Sequence, residues 1–352
     1  MKKILFDARV LNHKFYTGVE NYTKNILENL LQATNYPLQT IKAQPKTKNK
    51  YLSHLWLHFV LPFKKADILF CPANIAPVFI PKNKKLVLTL HDVAFLTQEE
   101  SFSTIFRLYY KFVIPFNIKR ADKIITVSNY SKSQIIEHFP YASEKIEVVH
   151  IAASEIFKPI ENIKKENTIL YVGSLNKRKN FTSIIKAFNR LIKDQKTTRY
   201  PLLATHLKIV GNFSDNFQLD QETQQLLEDA KKNKNIIFCQ NVDDEELLKL
   251  YNSSKLFIFP SFYEGFGLPV LEAMSCGTPV ICSNTTSLPE VGGEAVLYCN
   301  PHDINDIAQK LKQVLCDENL QNTMIKEGIT QAKNFNWQIT TKKHIKTITT
   351  NY

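Results

Sequence analysis

The chain has 352 residues, a mass of 40.6 kDa and a formal net charge of +12. Its 44% hydrophobic and 22% charged residues supply ordinary cores and exclude a disordered chain, and the length fits two domains. The charge is lopsided: residues 1–160 carry 22 basic against 12 acidic groups and residues 161–352 carry 23 against 21, so a basic half suited to an anionic surface adjoins a near-neutral one.

The opening apolar run, Ile4 to Phe6, is cut by Asp7 and Arg9 and is too short for a signal-peptide core. No apolar stretch approaches the roughly 18 residues of a membrane span. The expectation is a cytoplasmic protein, soluble or peripheral on the inner membrane face. KILFDAR reads as a strand and NYTKNILENLL as a helix, because Tyr22, Ile26, Leu27, Leu30 and Leu31 recur at helical spacing. Lys42 to Tyr51 reads as a polar loop. ADILFCP and KKLVLTLHD read as strands, and Phe102 to Asn117 as an aromatic-rich helix that stops near Pro115. ADKIITVS is a strand, Asn129 or Ser131 caps a helix running to about His138, and KIEVVH is a strand.

The rhythm weakens at Ile156 to Asn167, a polar linker containing Pro159. It resumes with TILYVGS, a helix in NFTSIIKAFNRLI, strands HLKIVG and NIIFCQ, and a helix from Asp243 to Leu250. KLFIFPS, TPVICS and VLYCNP are strands, LPVLEAMSCG is a helix, and Ile304 to Leu315 is another. A polar helical segment, Leu320 to Ile348, breaks near Phe335 to Trp337. Strands alternating with helices predict an α/β fold of mostly parallel sheets covered on both faces. The expected division is residues 1–158, 165–333 and a C-terminal segment 334–352. Ligands of such sheets gather at the strand carboxyl ends, here in a cleft between two facing domains.

The six cysteines, Cys71, Cys239, Cys276, Cys282, Cys299 and Cys316, form no CxxC pair, and the several that sit inside apolar or small-residue runs read as buried thiols. No Asp-x-Asp pair offers a divalent-ion site; the run Asp243 to Glu246 reads as a helix start. No metal or resident cofactor is expected, and nothing in the sequence matches a nucleic-acid-binding motif.

The densest chemistry lies between Ser261 and Glu290. Glu264 follows a strand, Gly265 and Gly267 permit a sharp loop, and Pro269 suits the first turn of the next helix. Such a loop aims backbone N–H groups at the strand ends, where a diphosphate is held. Glu272 lies inside the helix among Leu271, Ala273 and Met274; a carboxylate there is costly unless satisfied, and the two hydroxyls of a ribose would satisfy it. On residue types alone, a plain turn with Glu272 facing water remains open.

The run EGFGLPVLEAMSCGTPV, with Glu264 and Glu272 separated by seven residues, resembles the signature of retaining glycosyltransferases of family 4, which have the GT-B fold of two facing Rossmann-like domains with an interdomain cleft. The resemblance extends to ILYVGSLNKRKNF, ADKIITVSNYSKSQI, TGVENY, the His91–Asp92 pair and SLPE at Ser287 to Glu290, and within the family it points to the subgroup of bacterial surface-polysaccharide assembly, often with mannose donors. It implies a nucleotide-sugar donor, GDP-mannose favoured over UDP-sugars, and a glycan or lipid-diphosphate-linked acceptor. It implies that Lys179, with Arg178 beside it, neutralises the diphosphate, that Glu272 binds the ribose, and that Glu264 reaches the sugar hydroxyls. It implies further that amides at Gly265, Phe266, Gly267 and Leu268, and at Ser287 and Leu288, hold phosphate and sugar oxygens, that His91 contacts the donor sugar, and that Gly18 lets the backbone approach phosphate or acceptor. The chain departs from the family pattern at Ser174, where many members carry Arg, and at Glu20 in the glycine loop. The rival readings are a UDP-sugar enzyme of the same fold, a non-catalytic nucleotide-sugar or carbohydrate-binding protein, and a dinucleotide oxidoreductase, the last lacking a G-x-G-x-x-G after the first strand. The base is expected near Val210, Gly211 and Val242. Lysines and aromatics of the N-terminal half, among them Lys64, Lys65, Lys111, Phe106, Tyr109, Tyr110, Phe112 and Phe116, suggest peripheral contact with an anionic membrane.

Overall fold

Short runs of Ile, Leu, Val and Phe form the strands, and longer amphipathic runs form the helices that cover them. A computed structural model describes residues 2–12, 18–33, 38–98, 101–194, 205–211 and 221–350. The N-terminal half contains strands β1 (Lys2–Asp7), β2 (Leu38–Ala43), β3 (Ile68–Cys71), β4 (Lys85–Thr89), β5 (Lys123–Thr126) and β6 (Ile146–Val148). Its helices are α1 (Gly18–Gln32), α2 (Lys50–Phe59), α3 (Ala94–Thr97), α4 (Thr104–Arg120) and α5 (Asn129–His138). The strands pair in the order β2-β1-β3-β4-β5-β6, all parallel. Ile4, Phe6, Leu69, Phe70, Val87 and Leu88 are sealed, each contributing about 1.5–3 kcal/mol of burial.

The second half contains β7 (Glu166–Val172), β8 (His206–Val210), β9 (Ile236–Cys239), β10 (Ser254–Phe259), β11 (Val280–Ser283) and β12 (Leu297–Cys299). Its helices are α6 (Phe181–Asp194), α7 (Gln221–Lys232), α8 (Asp244–Ser253), α9 (Leu268–Ser275), α10 (Leu288–Gly292), α11 (Ile304–Cys316) and α12 (Glu318–Ala332). The order is β12-β11-β10-β7-β8-β9, again all parallel. This is the doubly wound order whose winding reverses between β7 and β10, so the crevice at their carboxyl ends is the place for a ligand. A last helix, α13 (Trp337–Thr349), follows.

The chain divides into two compact units. One comprises residues 1–99, 104–152 and 335–352; the other comprises 100–103 and 153–334. Both are Rossmann-like, as the expected fold class requires. Among the described residues, no helix is long and apolar enough to cross a membrane. All six cysteines are free thiols; Cys71, Cys276, Cys282 and Cys299 are buried, Cys239 is half-buried and Cys316 is exposed.

Several local expectations need correction. The polar loop at Lys42 to Tyr51 is shorter than read, because Lys42 belongs to β2 and Lys50 opens α2, whose cap is Asn49, accepting from the Tyr51 and Leu52 amides. Helix α4 does not stop at Pro115 but runs through it to Arg120. The proline removes one donor from the helical ladder without ending it. Ser128, rather than Asn129 or Ser131, caps α5, its Oγ accepting from the Ser131 amide at 3.0 Å. Asp243 caps α8.

Helix α13 belongs to the N-terminal unit, where it packs on α1. Its seal is polar. His344 Nδ1 lies 2.8 Å from the Thr340 carbonyl, which only accepts, so the proton sits on Nδ1 and Nε2 accepts from the Tyr22 hydroxyl at 2.7 Å. Thr89 Oγ1 then donates to Tyr22 at 2.9 Å. His344 is completely buried, and burial pushes its pKa down to about 4. The unfolded imidazole takes a proton near 6.5, so the stability held by the neutral ring is fully present above that pH and is lost as pH falls towards 4, on the order of 3 kcal/mol in all. The N-terminal unit should therefore melt at progressively lower temperature between pH 6.5 and 4, and a His344→Gln variant should lose most of that slope in calorimetry; an unchanged slope would contradict the assignment.

Candidate active site

Three loops leave the carboxyl ends of β7, β10 and β11 in the C-terminal unit. The first carries Lys177 to Lys179 in a single 3-10 turn just ahead of α6. Asn176 caps that turn, accepting from the Lys179 amide at 3.0 Å. Asn180 follows at φ 55°, a left-handed conformation Asn tolerates, and its Nδ2 donates to the carbonyls of Pro260 (2.9 Å) and Pro301 (2.7 Å). That knot ties the loop after β7 to the loop after β10. The backbone adds to it, since the Phe262 amide donates to the Arg178 carbonyl at 2.9 Å.

The outcome is a close ion pair. Lys179 Nζ donates to both oxygens of Glu264, at 2.6 and 2.8 Å, and lies 5.1 Å from the centre of the Phe259 ring. The side chains are 13% and 7% exposed. Arg178 Nη1 donates to the Tyr263 carbonyl at 3.0 Å and stands 4.0 Å from Glu264 Oε2, while its buried Nε has no acceptor among the described residues. Ser174 carries no cation; its Oγ accepts from Asn176 Nδ2 at 2.9 Å. Arg178 is thus the second positive group of this corner.

The loop after β10 turns at Gly267, with φ 108°; a Cβ there would strike the Leu288 side chain and the backbone would also be strained, so both reasons require glycine. Pro269 sits in the first turn of α9. Ser287 Oγ contacts the carbonyls of Glu264 and Phe266, each at 2.9 Å, joining this loop to the start of α10. The Glu264 amide donates to Thr286 Oγ1 at 3.3 Å. The amides of Gly267 and Leu268, and those of Ser287 and Leu288, find no acceptor among the described residues. Two helix starts therefore present unpaired N–H groups on one edge of the sheet, beside a lysine and an arginine. Such an edge favours an oxyanion with two phosphates.

Glu272 lies in the second turn of α9 and is 7% exposed. Oε2 accepts from the Tyr251 hydroxyl of α8 at 3.0 Å; Oε1 has no partner among the described residues and is not sealed from solvent. Burial, offset only in part by Tyr251, pushes the carboxyl up to about 8. The unpartnered oxygen is an open acceptor in a dry setting. Gly211, expected beside the base, has a local explanation: a Cβ there would collide with the Gly173 carbonyl. Val242 is half-buried ahead of α8.

In the N-terminal unit, His91 lies just past β4, 8% exposed. Its amide donates to Asn74 Oδ1 at 2.8 Å, and its Nε2 faces the Pro72 carbonyl at 3.0 Å, so Nε2 bears the proton. Tyr22 packs edge-on at 4.7 Å, and burial lowers the imidazole pKa, keeping the ring neutral near pH 7. Asp92 ties down the following turn by accepting from the Ala94 amide at 2.9 Å. Gly18 opens α1; a Cβ there would meet open space, so the fold itself does not demand glycine. Thr17 lies outside the described residues. Sequence reasoning missed Tyr251, Asn176, Asn180 and Thr286. Only Asn180 carried a signal, an Asn directly before a helical run.

Comparison with known proteins matches these loops to one family. The model "Glycosyl transferases group 1" matches residues 153–331, and "Glycosyltransferase Family 4" matches residues 28–152. The chain belongs to this glycosyltransferase family. It is 34% identical over 273 residues to the O-antigen chain mannosyltransferase B of Escherichia coli, covering 74% of this chain and 69% of that one. It is 31% identical to the serotype-specific mannosyltransferase WbdA of Escherichia coli, but spans only 32% of that longer protein. A sucrose-phosphate synthase structure from Thermosynechococcus elongatus shares the fold at a TM-score of 0.75, 17% identity and 98% coverage of both chains. The expected family and enzyme class are therefore shown, and the oxidoreductase reading is set aside.

Proposed function

We propose that this glycosyltransferase moves a mannosyl group from GDP-mannose to a growing surface glycan carried on a lipid diphosphate, with retention at the anomeric carbon and without a metal ion. It would work at the cytoplasmic membrane face, where its basic N-terminal unit meets anionic lipid. The observation that carries the reading is the Lys179–Glu264 pair beside four unpaired amides at the winding reversal of the C-terminal sheet. Its relatives' names, O-antigen mannosyltransferases, support mannose and a glycan acceptor.

In this reading the bond from the anomeric carbon to the diphosphate oxygen breaks, and the oxygen keeps the electron pair. Negative charge grows on the diphosphate, and Lys179, Arg178 and the amides of Gly267, Leu268, Ser287 and Leu288 would neutralise it. The acceptor hydroxyl bonds to carbon on the face the diphosphate leaves, and a phosphate oxygen takes its proton. Arriving diphosphate competes for the Lys179 ammonium and turns Glu264 towards the sugar hydroxyls. Glu272 Oε1 takes the ribose hydroxyls. His91 serves the reaction as a neutral, proton-fixed imidazole. A rival use of UDP-sugars is separated by a donor panel: GDP-mannose against UDP-glucose, UDP-galactose and the two UDP-N-acetylhexosamines, with lipid-linked glycan as acceptor and EDTA present. Label from GDP-mannose alone should reach the lipid fraction, and NMR of the product should show the donor's anomeric configuration. Transfer from a UDP-sugar alone, or an EDTA-sensitive reaction, would overturn the respective part.

A further inference from the structure

The N-terminal sheet reverses its winding between β1 and β3, so the carboxyl ends of these strands, at Asp7 and Cys71, flank a second place for a ligand. Arg9 follows β1 there in a 3-10 turn and is only 5% exposed. Asp7 gives both of its oxygens to that residue. Oδ1 accepts from the Arg9 amide at 3.1 Å, and Oδ2 accepts from Nε at 2.9 Å. The two Nη groups have no acceptor among the described residues, yet they are not sealed from solvent. A nearly buried guanidinium is thus braced from behind by a carboxylate while its outer fork ends in open space. Half-bonded in this way it costs stability, which a ligand at the fork would offset.

Two more open polar atoms stand beside it. Burial raises the pKa of the Tyr110 phenol, and the charges of Arg9, Asp92 and Glu20 act on it as well, which gathers these groups around one hydroxyl. Tyr110 Oη has no partner among the described residues and is not sealed. Its ring stacks on Phe106 at 4.0 Å and packs on Phe95, while Tyr109 approaches His54 and His58. Phe106, Tyr109 and Tyr110, expected at a membrane face, pack here instead. Asp92 uses Oδ1 on the Ala94 amide and leaves Oδ2 without a partner among the described residues.

Charge decides the class of ligand. One cation, Arg9, stands among the carboxylates of Asp7, Glu20 and Asp92. His58 adds no charge: Nδ1 accepts from the Val78 amide at 3.3 Å, so Nε2 bears the proton and donates to Tyr109 at 2.7 Å. His91 is neutral as well. Such a corner repels an anion. An uncharged polyol is not repelled, and it brings both acceptors for a guanidinium and donors for a carboxylate.

We propose that Arg9, Tyr110 and Asp92 form a subsite for an uncharged sugar of the acceptor, the Arg9 fork donating to two adjacent hydroxyl oxygens and Asp92 Oδ2 accepting from a further hydroxyl. The inference deepens the functional reading, on which it rests for the glycan nature of the acceptor. It makes Arg9 a residue that selects the acceptor, because a sugar carrying a carboxylate at these positions is refused.

The test is saturation-transfer NMR on the full chain, with the donor corner filled by GDP, or by UDP if GDP does not bind. The probes are the methyl glycosides of mannose, glucose, galactose and N-acetylglucosamine, and that of glucuronic acid. At least one neutral glycoside should bind, about tenfold or more tighter than the glucuronide. Arg9→Gln with Asp7→Asn strands no charge and should weaken that binding about tenfold or more, with circular dichroism and nucleotide binding as in the parent. Tyr110→Phe should weaken it to a smaller degree. Arg9→Lys keeps the ion pair with Asp7 but has no second arm to offer, so it should match the double variant, and it decides the matter if the double variant does not fold. Parental glycoside affinity in a folded Arg9 variant would mean that Arg9 only braces its turn, and overturns the proposal. So does a preference for the glucuronide, or the absence of binding by every neutral glycoside. Glycoside binding that depends on Arg9, in an enzyme that never turns over GDP-mannose, leaves the subsite standing and removes the proposed donor.

Discussion

A Lys179→Ala enzyme should transfer sugar with kcat/KM lowered by about 10²–10³, the usual loss when a preorganised charge is removed from a developing oxyanion. The complication is the fold. Lys179 and Glu264 are both nearly buried and bonded through both carboxylate oxygens. Removing one partner strands the other, at about 3–5 kcal/mol. Alanine at 179 should therefore also lower the melting temperature of the C-terminal unit. Pairing it with Glu264→Gln removes the stranded charge, so the double variant should regain much of its thermal stability and none of its activity. Activity rising together with stability would mean that Lys179 only holds the loops in place.

Glu272→Ala should weaken donor binding by about 3 kcal/mol, roughly a hundredfold in Kd, because two charged hydrogen bonds to ribose are lost. The raised pKa adds a sharper signature. With the carboxyl near 8, the empty site is mostly protonated at pH 7. An acid whose folded pKa is raised gives its stability in full below the unfolded value near 4.5, and loses it as pH rises through 8. Ribose hydroxyls that donate to Oε1 favour the carboxylate, so binding should release a proton. Titration calorimetry of donor binding at pH 7 should show an enthalpy that depends on the ionisation heat of the buffer. Glu272→Gln should abolish that dependence, and Tyr251→Phe should raise the pKa further and enlarge it. Binding without proton release by the parent would place the ribose elsewhere.

The donor loops could be read from the sequence because their chemistry is consecutive: Glu264, Gly267, Pro269 and Glu272 fall within one loop and the helix after it. Tyr251 could not, since a tyrosine 21 residues earlier in an amphipathic helix looks like any half-buried aromatic. Strand β2 escaped notice because Gln39, Thr40 and Lys42 make it polar, which an edge strand permits. Ser128 was passed over because Asn129 and Ser131 are equally good caps, and only backbone geometry separates them. Helix α2 also escaped notice, and periodicity would in any case find its apolar face without saying whether protein covers it. Gly18, Gly265 and Phe266 stand where the motif put them; their service to a ligand rests on the donor-binding experiments.

The order of synthesis gives α13 a further meaning. Tyr22, Thr89 and the core around α1 emerge early, yet their partners His344, Ile345 and Ile348 are translated after the whole of β7 to α12. The C-terminal unit can complete its sheet while the N-terminal one still lacks its last wall, so the half made first closes last. A nascent chain halted near residue 334 would expose the unfinished face of α1, which makes α13 a checkpoint on the unit it completes.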